Sequence, residues 1–94
     1  MKQCVRICIS GKLNPALYKE FVQQHANKLL IEGVAQTTED KNGVIILACG
    51  ASENLDELID QLYKGTPDCK IQDVIIEPFL NDRNFRGVFR IIGD

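Results

Sequence analysis

Apolar and polar positions alternate from Cys4 to Ser10. Val5, Ile7 and Ile9 fall on one side, and Cys4, Arg6, Cys8 and Ser10 on the other, which is the pattern of a half-buried strand. Gly11-Lys12-Leu13-Asn14-Pro15 is a turn-rich link, and beyond it the period lengthens. Over Ala16–Ile31, the apolar residues Leu17, Tyr18, Phe21, Val22, Ala26, Leu29 and Leu30 recur every three or four positions and predict one buried face of a helix. Asn14 suits the N-cap, Pro15 the first helical position, and Gly33 a stop just beyond. Val34–Glu39 reads as a second, more polar strand. Asn42-Gly43 favours positive φ and predicts a hairpin into Val44–Cys49, whose unbroken apolar run suits a central strand. Ser52 is the expected cap of a second helix carrying Leu55, Leu58, Ile59 and Leu62 inward, stopped by Gly65-Thr66-Pro67. Ile71–Glu77 and Arg86–Ile92 read as further strands, with a loop over Pro78–Asn84 between them.

The order β-α-β-β-α-β, with a closing strand, has helices that are apolar on one side and strands that mostly alternate. The simplest packing lays both helices on one face of an antiparallel sheet, an α+β, ferredoxin-like split β-α-β sandwich. Ninety-four residues leave room for one domain, over 1–94. The chain is 45% hydrophobic and 26% charged, which excludes disorder and low complexity. The net charge of −2 gives no broad hold on nucleic acid or an anionic membrane. The longest strictly apolar run, Val44–Cys49, has six residues, against the about 20 that a membrane span needs. No apolar leader precedes the first strand, so a cytoplasmic location is expected; the chain is also expected to be a monomer.

In that compartment, Cys4, Cys8, Cys49 and Cys69 are expected as reduced, mostly buried thiols. Cys4 and Cys8 would lie about 13 Å apart at strand rise, too far to share one ion, so no metal site is expected. His25 reads as a helix-flank residue beside Phe21, Val22 and Leu29. Glu53, Asp56, Glu57 and Asp60 read as a solvated helix face. Arg83, Arg86 and Arg90 cluster in sequence with Phe85 and Phe89, and Arg86 and Arg90, expected on one strand face, read as a local arginine patch for a phosphorylated or acidic partner. An RNA-binding sheet would need aromatics on central strands that have none here.

Several stretches together resemble the acylphosphatase family. Gly11-Lys12-Leu13-Asn14-Pro15-Ala16-Leu17-Tyr18-Lys19 stands where the family has a loop near G-x-V-Q-G-V-x-F-R. Gly33-Val34-Ala35-Gln36-Thr37-Thr38-Glu39-Asp40 stands where it has G-W-V-R-N-T-x-D-G, with the hairpin glycine delayed to Gly43. Ala48-Cys49-Gly50, Leu55–Ile59, Lys64-Gly65-Thr66-Pro67 and Phe89-Arg90-Ile91 continue the likeness nearly to the end of the chain. The resemblance implies hydrolysis of the carboxyl–phosphate bond of acyl phosphates, without metal or cofactor. It also implies a phosphate-binding loop over Asn14, Pro15, Ala16, Leu17, Tyr18 and Lys19. The catalytic positions would be Lys19, where the family has arginine, and Thr37, where it has the asparagine that orients water.

Those positions depart from the family's chemistry. Lysine keeps the charge of arginine but not its two-pronged geometry. Threonine offers one donor where asparagine offers two. Pro15 replaces a loop glycine, removes one N–H and fixes φ near −65°. The N–H groups of Ala16, Leu17 and Tyr18 are still expected to point outward at a positive helix end, leaving a weak site for a small phosphorylated or anionic ligand. Three readings follow, in this order: a family member with a degenerate site and little or no hydrolase activity; an active acylphosphatase using Lys19 and Thr37; and a non-catalytic anion- or protein-binding domain.

Overall fold

The computed structural model describes residues 2–67, 69–80 and 85–93. Arg83 and most of the expected loop up to Asn84 lie outside them. The elements run β1 (Lys2–Lys12), α1 (Pro15–Lys28), β2 (Glu32–Thr37), β3 (Gly43–Ala51), α2 (Ser52–Lys64), β4 (Lys70–Pro78) and β5 (Phe89–Ile92). The five strands form one sheet in the order β4-β1-β3-β2-β5. Four of them are antiparallel, but β5 runs parallel to β2, with Gly33 opposite Phe89 and Gln36 opposite Ile92, so the sheet is mixed. The last strand is also shorter than expected. Arg86 (φ +56°) and Gly87 (φ +72°) turn the chain before it, so Arg86 and Arg90 do not share a strand.

Alternation in β1 does what the pattern requires. Ile7 and Ile9 are buried against the helices with Val44, Ile46, Ala48, Leu55, Leu58, Leu62 and Phe89. Each fully buried aliphatic side chain of this kind contributes about 1.5–3 kcal/mol relative to exposure. The helix stripe sits differently from the expected one. In α1 the buried residues are Tyr18, Lys19, Val22 and Ala26, while Leu17 is 60% exposed and Leu30 87% exposed. A stripe at spacing four turns Leu17 out of the core and turns Lys19 in.

Helix α1 ends before Gly33. The amide of Leu30 donates to the Asn27 carbonyl (3.3 Å) and that of Ile31 to the Ala26 carbonyl (2.9 Å). This is the paired-bond stop that normally uses glycine, here with Leu30 at φ +57°. Gly33 lies inside β2 instead, at φ +149°, where a side chain would run into the Leu47 backbone of β3. Helix α2 begins at Ser52. Its N-cap is Ala51, without a side-chain bond, so Ser52 is not the cap. Between β1 and β4 the register slips at Ser10/Gly11, a bulge.

The face of the sheet away from the helices has its own small cluster of Val34, Cys49 and Phe85, flanked by Cys4, Leu47 and Phe79. Phe85 and Phe89 are therefore buried on opposite faces. Within this cluster the expectation of free thiols fails for two cysteines. Cys4 and Cys49 face each other in the β1–β3 register, with Cα atoms 4.1 Å apart, and are joined by a disulfide. A separation of 45 residues concealed the pair, because only the strand order brings them together. Cys8 and Cys69 are free and half-buried.

Candidate functional site

The positions singled out by the sequence gather around the start of α1 and the ends of β2 and β5. Asn14 is extended (φ −91°, ψ 110°), and its side-chain oxygen accepts from the Leu17 amide at 3.2 Å. Its carbonyl accepts from the Tyr18 amide at 2.9 Å. The outward-pointing amides expected at this helix end are thus reduced. Leu17 and Tyr18 are bonded to Asn14, Pro15 has no N–H, and the Ala16 amide is left as the first-turn donor not used by the fold among the described residues.

Asn14, Pro15, Ala16 and Thr37 line one cleft of about 380 Å³, together with Thr38, Glu39 and Lys41. Leu17, Tyr18 and Lys19 do not line it. Leu17 projects to solvent. Tyr18 is buried in the core, where its hydroxyl donates to the Leu62 carbonyl at 2.9 Å and ties α1 to α2. Burial, then the neighbouring Cys69, hold its phenol well above the ordinary range. Lys19 is 1% exposed, and its ammonium donates to the Ile92 carbonyl of β5 at 3.3 Å. Its ammonium thus lies against the closing strand. Gln23, one turn on, makes a similar bond to the Phe89 carbonyl at 3.0 Å.

The other wall of the cleft is the β2–β3 turn, which sequence reasoning left out of the site. Asp40 organises it. The carboxylate accepts from the Thr38 hydroxyl (2.5 Å) and from the Asn42 amide (3.1 Å), and these bonds hold its pKa below the usual carboxylate value. The Thr38 hydroxyl also accepts from the Gly43 amide at 3.1 Å, and the Lys41 amide donates to the Thr38 carbonyl at 2.9 Å. Positive φ falls on Lys41 (+61°), not on the Asn42-Gly43 pair that the hairpin pattern favoured. The delayed hairpin glycine was the available signal, because a longer turn here projects extra residues over the start of α1.

The remaining candidates sit apart. The rings of His25 and Phe21 meet edge to face at 4.6 Å. Glu53, Asp56, Glu57 and Asp60 are all exposed on α2. Among the described residues no group of three His, Cys, Asp or Glu side chains could hold a metal ion. No helix among them is long and apolar enough to cross a membrane.

Fold and site together define a ferredoxin-like α/β sandwich with a small polar cleft between the first helix and the β2–β3 turn. A sequence profile described as acylphosphatase matches residues 5–91, and the chain belongs to the acylphosphatase family. It is 32% identical over 73 residues to an acylphosphatase of Halorhodospira halophila, a match covering 78% of each chain. It is 26% identical over 83 residues to an acylphosphatase of Caldivirga maquilingensis, covering 88% of this chain and 87% of that one. Among solved structures, the acylphosphatase from Bacillus subtilis superposes with a TM-score of 0.87 at 25% identity, over 99% of this chain and all of that one.

Proposed function

We propose that this member of the acylphosphatase family has a degenerate phosphate site. In this reading it hydrolyses the carboxyl–phosphate bond of acyl phosphates at least about 10³-fold more slowly than an intact relative, and keeps a weak site for a small anion. One observation carries the proposal: the Lys19 ammonium, at the position of the family's arginine, is buried and bonded to the Ile92 carbonyl, away from the cleft. A phosphoryl group needs positively charged, multi-pronged contact as charge develops on its oxygens, and losing one well-placed donor costs about 10²–10³ in rate. Asn14 supports the same reading, since its side chain and carbonyl occupy two amides that an anion would use. Thr37 stays at the cleft, offering a short hydroxyl in place of an amide.

The test is turnover of a small acyl phosphate beside the Bacillus subtilis relative. Comparable rates overturn the proposal. Lys19→Arg, Thr37→Asn and Pro15→Gly combined are expected to restore part of the activity. The reading also places the chain in the cytoplasm as a monomer without nucleic-acid or membrane partners. Cys4 and Cys49 would there be a reducible pair rather than a permanent staple.

A further inference from the structure

We infer that Lys41 is the cation that a small tetrahedral oxyanion meets in the cleft, with Glu39 opposing it. The inference rests on the reading of this cleft as an anion site and names the groups that set its affinity. The lysine expected there, Lys19, is committed to β5. Lys41 is exposed and lines the cleft together with Thr37, Thr38 and Ala16. The backbone that carries it is held by the turn's own bonds. The backbone at φ +61° is one that residues other than glycine adopt only at a cost. The Thr38–Asp40–Asn42–Gly43 network and the bond from the Lys41 amide to the Thr38 carbonyl maintain it.

An oxyanion in the cleft finds an ammonium from Lys41, a hydroxyl from Thr37 and the unused amide of Ala16. Among the described residues the Thr37 hydroxyl has no hydrogen-bond partner of its own, so it reaches a ligand without first breaking a bond. Glu39 lines the same cleft and carries the opposite sign. Its carboxylate repels an anion, so the two side chains act on affinity in opposite directions. This differs from the family pattern, in which the cation sits on the first helix. Here the lengthened β2–β3 turn supplies it from the opposite wall.

The experiment is an amide NMR titration of the intact chain with inorganic phosphate at low ionic strength. Shifts are expected at Ala16, Thr37, Thr38 and Lys41. Lys41→Asn, a residue that tolerates the left-handed conformation, keeps the turn and is expected to weaken binding by about 3- to 10-fold. Lys41→Arg is expected to hold it, and Glu39→Gln to tighten it by about 3-fold. Added salt is expected to erase these differences. If the wild-type chain shows no cleft shifts with phosphate, the anion reading and this inference fall together. If it binds but Lys41→Asn binds equally well, or Glu39→Gln weakens binding, the anion reading stands and the assignment to Lys41 is overturned.

Discussion

Reducing the Cys4–Cys49 bond removes one covalent link and no side chain, which makes it a clean perturbation. The bond joins β1 to β3 and closes a loop with a sequence separation of 45 that contains all of α1 and β2. Restricting an unfolded chain over that length is worth about 4 kcal/mol at 25 °C on the loop-entropy estimate. The total stability of a small domain is about 5–15 kcal/mol, so the loss is a large share. At a urea dependence of about 1–3 kcal/mol per molar, the unfolding midpoint is expected to fall by roughly 1.3–4 M. The assay is urea unfolding followed by circular dichroism with and without a phosphine reductant, with thiol counts before and after. Two results refute the reasoning. Four free thiols in the untreated protein would show that the pair is not joined. A midpoint shift equivalent to less than about 1 kcal/mol after full reduction would show that the link does not act by restricting the unfolded chain. Cys4→Ala with Cys49→Ala should match the reduced protein apart from the packing lost beside Phe85 and Val34.

Other outcomes follow from individual residues. Lys19→Ala is expected to cost about 2 kcal/mol in chemical denaturation, because a buried side chain and its bond to the Ile92 carbonyl are lost, while phosphate affinity stays within about twofold. A large affinity loss with little change in stability would put Lys19 back in the site. Leu30→Gly is expected to raise stability by up to about 1 kcal/mol, read as a higher melting temperature, because an exposed side chain at φ +57° is replaced by the residue that favours it. Asp40 has a lowered folded pKa, so its contribution is present above the unfolded carboxylate value of about 3.9 and is lost as pH falls through the folded value. A carbon-detected titration should show Asp40 protonating at lower pH than a model peptide, and Thr38→Val should move it back.

The elements were legible because their periods are clean. Strict alternation in β1, spacing in α2 and the apolar run of β3 each announce a strand or a helix, and their order restricts the sheet. The disagreements occur where one period admits two answers or where long-range register decides. Leu17 and Lys19 are two positions apart on α1, and the sequence favours burying the leucine. Packing against β5 instead turns the lysine inward, where its carbon stem is buried and its head finds a carbonyl. Leu30 takes the role that Gly33 was expected to fill, because the bonds to Asn27 and Ala26 close the helix three residues earlier. In the cleft, Asn14, Pro15, Ala16 and Thr37 could be read from the family likeness. Lys41 could not, since its approach depends on the path of an extended turn. The direction of β5 was likewise hidden, because nothing within four residues distinguishes a parallel neighbour from an antiparallel one.

The slipped register between β1 and β4 bears on how copies of the molecule meet in concentrated solution. β4 is an outer strand of nine residues, with one side free of sheet partners among the described residues and with Ile75 and Ile76 exposed. Such an edge is a template on which another chain could lay a strand. The slip beside Ser10 and Gly11 breaks the regular spacing of its backbone groups. Lys70, Asp73 and Glu77 bring charge along it, and Pro78 ends it with a residue that cannot donate. An irregularity in pairing, together with these charges and the proline, thus makes this edge a poorer template for a strand from another chain.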